Sequence, residues 1–156
     1  MVCSMLPDAD VVGFKFHVAY SSVFGHRGIT HSLLFALLLA LLVTVLFFRK
    51  EKLFSKDWMR IFIYFFIATV SHPILDALTN GGLGVAFFAP FDNTRYFFPF
   101  HPIQVSPIKA GAFFGEKGIA VIKSEFVWIW IPSVVFIVVN LAVRKFLTKR
   151  KQSHRK

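Results

Sequence analysis

His26-Arg27-Gly28-Ile29-Thr30-His31-Ser32, followed at once by the uncharged run from Leu33 to Phe48, is the stretch that sets the architecture of this chain. The run holds sixteen residues with Thr44 as its only polar group. Two imidazoles, a guanidinium and two hydroxyls at the mouth of an apolar helix are costly beside a bilayer unless they are used. The pattern points to half of a metal site at a membrane surface, with the other half supplied elsewhere in the chain.

The composition agrees with a membrane setting. Of the 156 residues, 56% are hydrophobic and 21 are phenylalanine, beyond the usual range for a soluble domain. The single cysteine, Cys3, excludes an internal disulfide and a cysteine-built zinc site. The net charge of +10 is confined to two places, residues 49–60 and residues 144–156, which together carry twelve bases and two acids. Elsewhere bases and acids balance at six each, so the charge is a topology signal and no nucleic-acid partner is expected.

Three apolar segments follow. Residues 29–48 make a first span, since about 20 residues cross a hydrocarbon core of roughly 30 Å. Thr30 or Ser32 caps its start. The second runs from Trp58 to about Leu78, where Pro73 either kinks the helix or opens a fresh turn. The third is Phe126 to about Val143, with Glu125 at its N-terminus, where an acid is favourable. Between the last two lies a long connection, 79–125, with four prolines and an aromatic cluster, Phe87 to Phe100, suited to a bilayer interface. The expected fold is all-α, a polytopic membrane helical bundle with three spans. No basic segment with a following apolar core and cleavage site opens the chain, so no signal peptide is read.

The two basic segments belong in the cytoplasm under the positive-inside rule. Residues 1–28 and 79–125 then lie on the outer face, and with them Asp8, Asp10, His26, His31, His72, Asp76 and Glu125. His72 and Asp76 are four apart and share a helix face. His26 and His31 are five apart, so they converge only if His26 sits in the preceding loop, which Gly28 permits. Each pair has a bland reading, a capped helix end or an interfacial histidine, and Asp8-Ala9-Asp10 alone reads as a turn. Together three histidines and three aspartates on one face favour a divalent metal site of one or two ions, with Zn²⁺ first and Mn²⁺ or Fe²⁺ behind it. Water activated by the metal would attack an ester or phosphoester, and location at the interface suggests a lipid headgroup. Glu125 is a minor candidate base. Arg27 and Arg95 are substrate-contact candidates, with snorkelling and a polar turn as their plain alternatives. His17 and His101 read as surface residues. The competing readings are a non-catalytic metal-binding membrane protein or a small transporter. The absence of charge in residues 33–48, 61–70 and 127–139 weighs against a pore.

Four strings carry a resemblance: L-P-D-A-D (6–10), G-H-R-G-I-T-H-S (25–32), S-H-P-I-L-D-A-L-T-N-G-G (71–82) and F-F-A-P-F-D-N-T-R-Y-F-F-P-F (87–100). Together they resemble the YdjM-like, LexA-regulated family of bacterial inner-membrane, metal-dependent hydrolases. The resemblance implies a hydrolase whose metal ligands are Asp8, Asp10, His26, His31, His72 and Asp76. The His72-to-Asp76 element is more distantly similar to one in zinc-dependent phospholipase C and P1-type nucleases. Family members usually begin with a further helix bearing a histidine. The resemblance therefore implies one domain over 1–156 that lacks its first helix, and four spans in the whole.

Overall fold

The computed structural model describes residues 1–107 and 110–153. Arg155 and Lys156 of the expected basic tail lie outside them. The chain divides into two compact units, Met1–His101 and the residues from Pro102 onward. Both are helical, and in the first unit an antiparallel bridge pairs Val85 with Tyr96.

The first unit opens with a short helix α1 (Val2–Met5) and a 3-10 segment, Leu6–Phe16, that carries both aspartates. A second 3-10 turn, Ile29–His31, precedes α2 (Leu33–Phe47). The expected start at residue 29 therefore moves to Leu33, because Ser32 is extended and accepts the Phe35 N–H at 3.0 Å as N-cap. Thr30, the other cap candidate, is engaged elsewhere. At 15 residues α2 rises about 22 Å. Helix α3 (Lys56–Ala77, 22 residues) is long and apolar enough to cross a membrane. Pro73 lies within it without ending it.

Helix α2 buries Ala36, Ala40 and Thr44, spaced by four, and α3 buries Thr69, Pro73 and Ala77 at the same spacing. Small residues on one stripe let two backbones approach closely where lipid offers no hydrophobic drive for association. The hydroxyls of Thr44 and Thr69 donate to the carbonyls of Ala40 (2.7 Å) and Phe65 (2.8 Å), so neither is offered unpaired to lipid.

The loop after α3 ties the site end of this hairpin together. Ala86 N–H donates to the Arg27 carbonyl at 3.0 Å, Leu33 N–H to the Phe87 carbonyl at 2.9 Å, and Phe98 N–H to the Ala77 carbonyl at 3.0 Å. The second of these satisfies a donor left open at the start of α2.

The second unit contains α4 (Ala110–Phe113) and then continuous helix through α5 (Glu116–Glu125), a π-helical turn Phe126–Trp130 and α6 (Ile131–Ser153). Glu116–Leu147 is long and apolar enough to cross a membrane. Glu125 thus ends α5 within this helix and does not stand at a helix N-terminus. The physical reason is that no proline lies between Glu116 and Phe126, so nothing stops the helix at residue 126.

Candidate metal centre

Three elements of the first unit bring the donors together: the 3-10 segment with Asp8 and Asp10, the turn with His26 and His31, and the last two turns of α3 with His72 and Asp76. All six residues expected from the sequence meet here, and they sort into two layers. His31 Nε2, His72 Nε2, Asp8 Oδ1 and Asp76 Oδ2 face one another: His31 to Asp76 is 3.2 Å, His72 to Asp8 3.2 Å, His31 to Asp8 3.5 Å and His72 to Asp76 3.7 Å. Of these atoms His31 Nε2, His72 Nε2 and Asp76 Oδ2 are buried without a hydrogen-bond partner. Orphaned buried polar atoms are rare and costly, and three converging on one point is the arrangement a cation resolves.

Behind this layer stands Asp10. Its Oδ1 lies 2.7 Å from His26 Nδ1; its Oδ2 accepts from Thr30 Oγ1 at 2.6 Å and from the Arg27 N–H at 3.2 Å, and lies 3.2 Å from His31 Nδ1. A carboxylate at Nδ1 fixes the ring so that Nε2 points forward, the usual support for a metal-bound histidine. Asp10, His26 and His31 also form a compact donor group of their own, in which His26 Nδ1 and Asp10 Oδ1 are paired with each other.

Arg27 plays the same supporting part for Asp76. It is 3% exposed, and its guanidinium donates to Asp76 Oδ1 at 3.1 Å and to the Gly81 carbonyl at 2.9 Å. The positive φ that turns the chain between the two histidines falls on Arg27 itself (61°), not on Gly28. Gly28 is needed for space, since a Cβ there would stand 2.2 Å from the Val23 carbonyl oxygen.

The electrostatics follow from this crowding. Burial alone would lower the pKa of His31, but the carboxylates of Asp10, Asp76 and Asp8 around the ring favour its charged form and raise it to about 10. Burial would raise Asp8 and Asp10, yet their imidazole partners hold both well below the ordinary carboxylate range. Three carboxylates gathered round two rings make a strongly cation-seeking environment.

Arg95 does not sit among these donors. It donates to the carbonyls of Tyr20 (2.8 Å), His26 (3.0 Å), Ser22 (3.1 Å) and Gly84 (3.4 Å), and its guanidinium lies 5.5 Å from the Tyr20 ring. The substrate contact expected of it is displaced by this role, a clasp between the histidine loop and the loop after α3, because one planar fork satisfies several carbonyls that turns leave open. Glu125 belongs to the other unit. Thr30 went unread as part of the site, and only its place beside His31 marks it. The Asp92 turn is polar as expected, with Oδ1 accepting the Thr94 N–H at 2.8 Å.

The family model for the YdjM inner membrane protein matches residues 1–147. The chain is 39% identical over 137 residues to inner membrane protein YbcI of Escherichia coli (strain K12), covering 88% of this chain and 78% of that protein. No solved structure matches.

Proposed function

The chain belongs to the YdjM inner membrane protein family, and from that membership and its gathered donors we propose that it is a membrane-bound, divalent-metal-dependent hydrolase of an ester or phosphoester. The observation that carries the reading is the convergence of His31 Nε2, His72 Nε2 and Asp76 Oδ2, buried and unpartnered, beside Asp8 Oδ1. In this reading those four atoms hold one ion. Asp10 and His26, counted as ligands from the sequence, stand behind: Asp10 orients His31, and His26 orients Asp10. Arg27 orients Asp76 through its second oxygen.

Two nitrogens and two carboxylate oxygens suit Zn²⁺ first, with Mn²⁺ or Fe²⁺ as alternatives. When bound, such an ion supplies Lewis acidity and makes water a nucleophile near neutral pH. The side chain of Asp8 is about half exposed (52%) while that of His31 is fully buried (0%), so water and substrate reach the site past Asp8. In this reading the basic segments 49–57 and 144–156 lie in the cytoplasm under the positive-inside rule, with the site on the outer face of the inner membrane.

The test is turnover of bis-p-nitrophenyl phosphate and a p-nitrophenyl ester by purified protein in detergent. Hydrolysis of one of them is expected, lost with EDTA, restored by Zn²⁺, and reduced at least about 100-fold by His72→Ala. Turnover indifferent to EDTA and to His72→Ala, or no metal-dependent turnover of either compound, would contradict the reading.

A further inference from the structure

Arg27 places a fixed positive charge inside the donor cluster. Its side chain is buried, donating from Nη2 to Asp76 Oδ1 at 3.1 Å and from Nη1 to the Gly81 carbonyl at 2.9 Å. Its Nε is buried with no hydrogen-bond partner. Burying a guanidinium is costly, and this one cannot shed its proton to escape the cost. A neutral amide could supply the two hydrogen bonds that Arg27 makes, and the further N–H that it brings is left unpaired. Hydrogen bonding therefore does not account for a guanidinium at this place. What a neutral donor could not supply is the charge.

The groups around Arg27 show what that charge does. Asp8, Asp10 and Asp76 bring three carboxylates to the rings of His31 and His72. Histidine ligates a metal as the neutral ring, and aspartate as the anion. Three negative charges without a counter-charge would favour the most highly charged ion on offer. Arg27 offsets one of them by contact with Asp76, whose other oxygen, Oδ2, is among the unpartnered atoms. Arg95 gives no such relief by contact, because its hydrogen bonds go to the carbonyls of Tyr20, Ser22, His26 and Gly84.

We infer that Arg27 selects the ion by charge: fixed on Asp76, its guanidinium leaves the cluster two net negative charges and sets it to take a single divalent ion. The centre then turns away trivalent ions and holds a redox-active one in its divalent state. The inference rests on the metal centre of the hydrolase reading, and it extends Arg27 from orienting Asp76 to choosing what Asp76 binds. A cation beside the centre is repelled by each unit of charge on the ion, and burial leaves that repulsion weakly screened. Loss of the guanidinium consequently raises affinity for a trivalent ion more than for a divalent one, whatever it does to the placing of Asp76.

Iron tests this within one set of ligands, since Fe²⁺ is among the ions that nitrogen and carboxylate donors suit. Purified full-length protein in detergent is stripped with EDTA, loaded anaerobically with Fe²⁺ and titrated with redox mediators, the ferric form being followed by electron paramagnetic resonance. Arg27→Gln is expected to raise the ratio of Fe³⁺ to Fe²⁺ affinity at least about tenfold, a fall in midpoint potential of about 59 mV for a one-electron couple. Arg27→Met, a second neutral replacement in case the first does not fold, should move the potential the same way. Arg27→Lys keeps the charge and loses the planar fork, and its ratio should stay within about threefold of the unsubstituted protein. A potential unmoved in both neutral variants, or moved as far by Arg27→Lys, would overturn the inference and leave the metal centre standing. Unsubstituted protein that binds neither iron nor zinc would remove the metal centre itself, and the inference with it.

Discussion

Asp10 gathers four groups, His26 Nδ1, the Arg27 N–H, Thr30 Oγ1 and His31 Nδ1, without itself facing the point where the unpartnered donors meet. Its replacement by Asn keeps the size but loses an acceptor and the charge that holds His31. Metal affinity should fall about 10- to 100-fold, as for other outer-layer partners of a ligating histidine, in a chelator competition assay. An unchanged affinity would remove Asp10 from that part. Arg95 makes the opposite case. Arg95→Ala should lower unfolding stability by about 2 kcal/mol through carbonyls left unpaired, and Arg95→Lys should recover only part, since an ammonium cannot reproduce the planar fork. Thermal unfolding in detergent reads both. At this scale the four-residue spacing of His72 and Asp76 was legible because helix periodicity alone puts them on one face. The division of labour between Asp8 and Asp10 was not. It depends on a 3-10 path that sends Asp8 to Nε2 and Asp10 to Nδ1 of the same ring, and no sequence spacing encodes that.

Helix α2 shows how an apolar run is given a direction. Its composition is nearly uniform, so its buried side is chosen by size: Ala36, Ala40 and Thr44 at 1, 0 and 0% exposure, with leucines turned outward. Ala40→Leu should cost roughly 1–3 kcal/mol by forcing α2 and α3 apart, whereas Leu38→Ala, at an outward position, should cost much less. Equal effects on thermal unfolding would show that the stripe does not set the packing. Ser32→Ala should cost about 1 kcal/mol through the lost N-cap. The existence and order of the apolar segments were plain from hydropathy. The start of α2 was displaced by a 3-10 turn, and the third helix extends back to Glu116 because no proline interrupts the residues before its apolar body. Hydropathy sees where lipid can be tolerated, not where hydrogen bonding begins.

For the whole molecule, the proposed topology puts the basic segments in the cytoplasm and the donor cluster on the outer face, following the positive-inside rule. In a Cys3→Ser background, Phe24→Cys should react with a membrane-impermeant maleimide in intact spheroplasts, and Lys52→Cys only after permeabilisation. Reversed labelling would put the site in the cytoplasm. The membrane class was legible in the composition. The folding of Phe87 and Phe88 back on Leu33 at the start of α2 was not, because those aromatics in sequence suggested only an interfacial belt. The most direct measurement is the metal content of the purified full-length protein by inductively coupled plasma mass spectrometry. One equivalent of a divalent ion per chain is predicted, lost in His72→Ala and His31→Ala and kept in Lys52→Ala. A protein without metal, or one that keeps its full equivalent in both histidine variants, would contradict the assignment of Asp8, His31, His72 and Asp76.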